Sequence, residues 1–292
     1  MICIGENINI MSKTIGPAIR EKKPELIQNM AREEAKNGVD ILDLNIGPAR
    51  KGGNETMEWI VKTVQGVVNL PLSLDTTNLD AMEAGLKAHK GVPIMNSVSL
   101  QPERLDRGIK MAKDYNCNVI ALLWGKEGMP RDENERAVHV VEFYQKAADA
   151  GIAPEMIWVD PIVSPVSVEI NQVKACIAFM SMLQEIAPGV KSTVGLSNIS
   201  NGTPDQLRPW LNRTYLCMLL HHGLYSAIVD AYDAVIIDIA KGKRPDIQEV
   251  IVSVMEGRAV NTDDLSDELL KYYKSARVLT GQILYSHSWL EV

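Results

Sequence analysis

The chain has 292 residues, 46% hydrophobic and 23% charged, with a formal net charge of −7. A chain of this size buries a full core without disulfides or structural metals. Its mild acidity, with no long run of like charges, excludes a polyanion-binding tail and argues against a nucleic-acid partner. The four cysteines, Cys3, Cys117, Cys176 and Cys217, form no CxxC pair and read as buried thiols of a reducing compartment. No charged-then-apolar leader opens the sequence, and no stretch is apolar over about 18 residues. The expectation is therefore a cytoplasmic protein without a membrane segment.

Along the chain, short apolar runs ending in polar or acidic residues alternate with amphipathic helical stretches. The first strand is predicted over Ile2–Ile8, followed by a helix over Glu25–Asn37 that stops at Gly38, a favourable residue just past a helix end. Ile41–Ile46 is the second strand and Asn54–Val67 the next helix. Leu72–Asp75, then Asn78–His89, then Ile94–Ser97 and Pro102–Tyr115 continue the alternation, with Pro102 at a helix start where its missing N–H costs little. Val119–Trp124 precedes a helix over Glu133–Ala150, and Ile157–Asp160 one over Val168–Ile186. Ser192–Leu196 precedes Asp205–His222, and Ser226–Asp230 precedes Asp233–Lys241. Runs of this length suit strands buried on both faces of a parallel sheet.

Eight such strands predict a (β/α)8 TIM barrel over residues 1–244. No GxGxxG opens the first helix, which removes the usual sign of an open dinucleotide-binding sheet. Pro245–Met255 and Ser266–Ser286 read as extra helices, so residues 245–292 are expected to be a C-terminal helical extension packed on the barrel. His221 and His222 tempt a metal assignment, but neighbours on a helix point roughly 100° apart and make poor co-ligands.

Barrels place function at the C-terminal ends of their strands. Here those ends carry Glu6, Asn7 and Asn9; Asp43 and Asn45; Asp75 with Thr76, Thr77 and Asn78; Asn96 and Ser97; Asp160; Ser197, Asn198, Ser200 and Asn201; and Asp230. The ring is rich in Asp and Asn and poor in His, Lys and Cys. Carboxylates accept, while carboxamides both donate and accept, so a flat aminopyrimidinone with adjacent N–H donors and a carbonyl is a natural ligand. A zinc centre would call for His or Cys; composition leaves an all-oxygen magnesium site open, but no protein-bound metal is expected. Taken singly, Asp43, Asp75 and Asn198 also suit helix caps or turns, and Asp160-Pro161 suits a turn; their joint placement on one face favours a site.

GENIN at Gly5–Asn9, LDLNIGP at Leu42–Pro48, SLDTTN at Ser73–Asn78, MNS at Met95–Ser97, VDP at Val159–Pro161, GLSN at Gly195–Asn198 and LNRTYL at Leu211–Leu216 occur in this order. Together they closely resemble the methyltetrahydrofolate:corrinoid protein methyltransferases, a family that includes the enzyme methylating the corrinoid iron–sulfur protein of acetogens. The resemblance covers nearly all of residues 1–240 and none of the tail beyond Pro245. It implies a homodimeric pterin-binding barrel that takes tetrahydrofolate or 5-methyltetrahydrofolate as substrate, with cobalamin carried by a partner corrinoid protein. It further implies that Asp75 and Asp160 hold the pterin's amidine edge and that Asn96 bonds the ring. Asp43, Asn45, Glu6, Asn7, Ser197 and Asn201 would line the pocket. Asn198 would act catalytically at N5, the methyl-bearing nitrogen. Two alternatives remain. One is a dihydropteroate synthase-like enzyme, which would want basic residues near strands seven and eight, where GLSN and Val229–Asp233 offer no Lys or Arg. The other is a non-catalytic pterin-binding subunit.

Overall fold

The structure is a computed structural model and describes residues 1–291. Eight strands form the barrel: β1 (Ile2–Gly5), β2 (Ile41–Gly47), β3 (Leu72–Thr76), β4 (Ile94–Ser99), β5 (Asn118–Leu122), β6 (Ile157–Asp160), β7 (Lys191–Ser192) and β8 (Ser226–Val229). All paired neighbours are parallel, in the order β7-β6-β5-β4-β3-β2-β1-β8. β7 and β8 close the circle sparsely: Ile228 N–H donates to the Val194 carbonyl at 2.8 Å, and Gly195 bridges Ile228. The seventh strand is thus shorter than the predicted Ser192–Leu196, because the chain coils into a 3-10 turn over Leu196–Ser200.

The helices wrap this barrel: α1 (Ile15–Arg20), α2 (Pro24–Lys36), α3 (Gly53–Gln65), α4 (Leu79–Ala88), α5 (Pro102–Asp114), α6 (Glu133–Asp149), α7 (Ile170–Ile186), α8 (Arg208–His221) and α9 (Ala234–Ala240). Their starts have identifiable causes. Asn78 Oδ1 accepts from the amides of Asp80 and Ala81, and Asp132 Oδ1 from that of Glu135, meeting N–H groups that the helices leave open. α1 has no counterpart among the predicted helices; it is six residues long, too short to show a period.

Side-chain parity explains how the barrel is filled. Ile4, Ile41, Ile94, Ile120 and Trp158 form a separate buried cluster, with Ile2 and Ile228 packed against it. This is the interior plug. Successive side chains in a strand point to opposite faces, so the residue two places on shares the plug's direction. Two residues past Ile4, Ile41, Ile94, Trp158 and Ile228 stand Glu6, Asp43, Asn96, Asp160 and Asp230. Each of these five strands therefore seals the floor with an aliphatic or aromatic group and raises a polar one at the mouth, whereas Ile120 of β5 is followed by Leu122. The opposite parity, including Cys3, Leu42, Leu44, Leu72, Leu74, Met95, Val119 and Val159, belongs to the core between barrel and helices. Truncating such a group to Ala typically costs about 2–5 kcal/mol.

Two further helices, α10 (Pro245–Met255) and α11 (Asp267–Leu279), pack on each other and on α8. Gln248 Nε2 donates to the Cys217 carbonyl at 3.0 Å, and Tyr272 lies fully buried against Trp210 with ring centroids 5.0 Å apart. α11 ends at Leu279, short of the predicted Ser286. Gly281 takes a left-handed φ of +75°, and the Gln282 amide turns back to the Arg277 carbonyl at 2.9 Å, a glycine-terminated helix end.

Candidate functional site

The mouth is built around two adjacent carboxyls on β2 and β3. Asp43 is buried, and its Oδ1 accepts from Ser73 Oγ at 2.6 Å and from Asn96 Nδ2 at 3.0 Å. Asp75 stands next to it in the sheet, where Asn45 pairs with Asp75 and donates to it through Nδ2. Asn45 Oδ1 in turn accepts from the Gly47 amide at 3.0 Å, which fixes the carboxamide's orientation. Burial pushes both carboxyls above the ordinary Asp range, the Asp43 charge pushes Asp75 further, and the two titrate as a pair. They therefore share a proton over a range where isolated carboxylates have lost theirs.

Asp160 ends β6. Its Oδ1 accepts from the Ile162 amide at 2.8 Å, leaving the other oxygen open. Desolvation raises its pKa to about 6, opposed by the Ile162 hydrogen bond and the positive charge of Arg136. Glu6, beyond β1, accepts from Ser197 Oγ at 2.6 and 2.8 Å. Desolvation raises it to about 7 against that bond, with Asp230 adding to the rise and Arg208 opposing it. Asn7 is spent on the seam between β1 and β8: its Nδ2 donates to Asp230 Oδ1 at 2.9 Å, and its Oδ1 accepts from the Ala231 amide at 3.0 Å.

The turn after β7 carries the remaining predicted residues. Asn198 is exposed, and its Oδ1 accepts from Asn201 Nδ2 at 3.3 Å, so its own NH2 is free to donate. Asn201 is exposed on the rim, where its carbonyl accepts from Ser167 Oγ at 2.8 Å. The structure thus brings Asp43, Asn45, Asp75 and Asn96 into one network. Glu6 joins Ser197 across the β1–β7 side, Asn198 sits beside Asn201, and Asn7 lies behind the mouth.

Three further residues escaped the sequence reading. Glu34, on α2, is fully buried and accepts the Asn7 amide at 3.0 Å. Arg136, on α6, is fully buried behind Asp160. Arg208, the first residue of α8, donates from Nε to Ser200 Oγ at 3.0 Å and from Nη2 to the Ser197 carbonyl at 3.5 Å. A basic group thus does stand beside the end of β7, where the strand ends themselves offer none; Arg213 instead pairs with Asp233 at 2.9 Å. Helical spacing announces Glu34, which shares a face with Ile27 and Ala31; nothing local announces Arg208.

Among the described residues, no group of three or more His, Cys, Asp or Glu side chains is arranged to hold a metal ion. A barrel whose mouth presents open carboxylate oxygens, oriented carboxamides and an exposed amide belongs to the class that reads flat hydrogen-bonding heterocycles. The comparisons agree. A model of pterin binding enzymes matches residues 12–230, and the chain belongs to that family. Methylcorrinoid:tetrahydrofolate methyltransferase of Eubacterium limosum is 27% identical over 232 residues, spanning 79% of this chain and 85% of that protein. Methionine synthase of Mycobacterium leprae (strain TN) is 27% identical over 243 residues, covering 79% of this chain but 20% of that much longer protein. Among solved structures, Xanthomonas albilineans dihydropteroate synthase with 4-aminobenzoic acid superposes with a TM-score of 0.63 at 19% identity, covering 84% of this chain and 92% of that one. The Yersinia pestis enzyme with a pterine-sulfa conjugate gives 0.61 at 16%, covering 84% and 93%. At such identities these structures speak to the fold alone.

Proposed function

We propose that this protein is a methyltransferase that moves a methyl group between N5 of tetrahydrofolate and the cobalt of a corrinoid carried by a partner protein. The observation that carries the reading is the combination of two carboxyls at the mouth, Asp75 and Asp160, with the exposed carboxamide of Asn198 one strand beyond Asp160. Asp75 and Asp160 accept from the N–H donors of the aminopyrimidinone edge. Asn96, its Nδ2 held by Asp43, presents its carbonyl oxygen to the ring. The 27% identity to a methylcorrinoid:tetrahydrofolate methyltransferase over most of both chains supports the chemistry.

In the direction that demethylates the folate, the N5–CH3 bond breaks and its electron pair stays on N5. An amine leaves poorly unless charge there is stabilised, and in this reading the Asn198 NH2, which has no partner in the fold, donates a hydrogen bond to N5 or orients a water that does so. The corrinoid supplies a strongly nucleophilic cobalt; the barrel supplies position and electrostatics. The same groups serve the reverse transfer. The family resemblance extends the proposal to a cytoplasmic homodimer, with residues 245–292 as an extension of the barrel at 1–244.

An anaerobic spectrum tests the reading. Cob(I)alamin with methyltetrahydrofolate, and methylcobalamin with tetrahydrofolate, are expected to interconvert when the protein is added. Tetrahydrofolate binding without transfer to free or protein-bound corrinoid would leave a non-catalytic pterin-binding subunit. A dihydropteroate synthase-like reading draws on Arg208, but that guanidinium already donates to Ser200 and Ser197 from Nε and Nη2. Condensation of a pterin-methyl pyrophosphate with 4-aminobenzoic acid would favour it over methyl transfer.

A further inference from the structure

Arg136 is 0% exposed, yet all its hydrogen-bond acceptors are neutral. Nε donates to the Pro161 carbonyl at 2.8 Å, Nη1 to the Asp132 carbonyl at 3.1 Å, and Nη2 to the Ile162 carbonyl at 3.4 Å and to Gln172 Oε1 at 2.8 Å. Gln172, itself buried on α7, donates onward to the carbonyls of Pro130 and Arg131 at 3.1 and 2.8 Å. Enclosing a guanidinium with no carboxylate hydrogen-bonded to it is costly, so such a group persists where it has a task.

The task lies in the chain it grips. Pro161 and Ile162 directly follow Asp160, and Ile162 sits at a φ of +67°. A β-branched residue there is strained and needs surrounding contacts to hold it. The strained turn brings the Ile162 amide onto Asp160 Oδ1 and leaves the other oxygen for the mouth. We propose that Arg136 is a positioning residue for Asp160: clamping the Pro161 and Ile162 carbonyls holds the turn that aims the carboxylate, and the buried positive charge keeps that carboxylate ionised for the ligand's N–H donors. The ligand part rests on the pterin reading above; the effect on Asp160 does not.

The charges around the pair are few. Asp160 is felt by Asp75 from β3 and Cys176 from α7, and Arg136 by Asp160, Cys176 and, from α8, Tyr215. Two variants separate charge from clamp. Arg136→Met removes both. Gln172→Glu keeps the bond to Arg136 and sets a carboxylate beside it that offsets its field at nearly unchanged side-chain size, while giving up the donations to the Pro130 and Arg131 carbonyls, so its fold is checked before its titration is read. The Asp160 carboxyl of ligand-free protein is followed by carbon-13 NMR, assigned with Asp160→Asn, and tetrahydrofolate affinity is measured against pH by fluorescence quenching. The wild-type Asp160 midpoint is expected near the value of about 6 that its surroundings set. In Gln172→Glu, and in Arg136→Met where it folds, the midpoint should rise by about one unit. The acid limb of tetrahydrofolate binding should move with it, a loss of about twofold at pH 7 that approaches tenfold near pH 5 and is recovered at higher pH. Asp160 that titrates as in wild type in folded Gln172→Glu overturns the charge role, and unchanged titration and tetrahydrofolate affinity in folded Arg136→Met overturn the clamp as well. Wild-type protein that fails to bind tetrahydrofolate overturns the pterin reading instead, while the carboxyl titration still decides the role of Arg136.

Discussion

The Asn7 amide donates to Glu34 Oε1 at 3.0 Å, while Glu34 Oε2 is buried without a hydrogen-bond partner. This contact ends β1: the Glu6 amide still reaches the Val229 carbonyl at 3.0 Å, but the next amide goes to a helix carboxyl instead of a neighbouring strand. Gly5 makes the approach possible, because a Cβ there would lie 2.3 Å from Glu34 Oε1. Burial raises Glu34 to about 8 against the Asn7 bond, with the charges of Asp43, Glu6 and Asp230 adding to the rise. The folded protein therefore keeps a proton that the unfolded chain releases near 4.5. The resulting stabilisation is full below that pH and is lost as pH climbs through about 8. Glu34→Gln keeps the acceptor and cannot ionise. Its melting temperature should fall less than the wild type's between pH 6 and pH 9, by roughly 2 °C or more. Parallel melting curves would show that Glu34 does not titrate in the fold.

The Asp43–Asp75 pair predicts a proton released on ligand binding. In the free protein burial and mutual repulsion keep a proton on the pair. An aminopyrimidinone edge donating to Asp75 favours the ionised form, so the proton departs and affinity falls with falling pH. Calorimetry of tetrahydrofolate binding in buffers of different ionisation enthalpy reads this directly, and identical heats in all buffers would refute it. Asp75→Asn presents an NH2 where an acceptor is wanted and should weaken binding by about 10²-fold or more.

Asn198 and Asp75 should part company kinetically. Asn198 is exposed, and its NH2 has no partner in the fold, so Asn198→Ala should leave stability and tetrahydrofolate affinity within a few fold of wild type. Methyl transfer should slow by roughly 10²–10³, the range seen when one preorganised donor is removed from a developing charge. Single-turnover stopped-flow with cob(I)alamin separates the two, and a wild-type transfer rate would remove Asn198 from the chemistry.

The barrel and its polar mouth were legible because strand parity writes them into the sequence: Ile4 then Glu6, Ile41 then Asp43, Trp158 then Asp160. What the strand ends hide is how each polar group is held. Asp43 reads like Asp75 in the sequence, yet it is buried beneath Ser73 and Asn96 and acts on the mouth through them. Glu34 and Arg136 look like surface charges in helices, although Arg136 falls on the stripe of Val140, Phe143 and Ala147, which is buried throughout. A charge on an apolar stripe is the readable signal, and only the three-dimensional partner tells what it does. Strand ends were misjudged where a side chain intercepts a backbone amide, as Glu34 does at Asn7.

The C-terminal segment offers the last test, because it touches the loop that carries Asn198. Trp289 is 1% exposed, and its Nε1 donates to Ser275 Oγ on α11 at 3.0 Å. Lys274 Nζ reaches the Leu290 carbonyl at 2.9 Å, tying the same stretch to the helix. Tyr285, its ring 5.7 Å from that of Trp289, shares a hydrogen bond of 2.7 Å with Thr203 Oγ1, two residues beyond Asn201. A buried Trp anchors the tail, and the Tyr hydroxyl joins it to the turn after β7. Trp289→Ala should cost about 3–5 kcal/mol, seen as a lower denaturant midpoint. Tyr285→Phe keeps the packing and removes only the link to Thr203, so it should cost about 1 kcal/mol or less of stability. If the link steadies Asn198, methyl transfer by Tyr285→Phe should slow several-fold at unchanged tetrahydrofolate affinity, and Thr203→Val should reproduce the effect. Wild-type rates in both variants would confine the extension to covering α8.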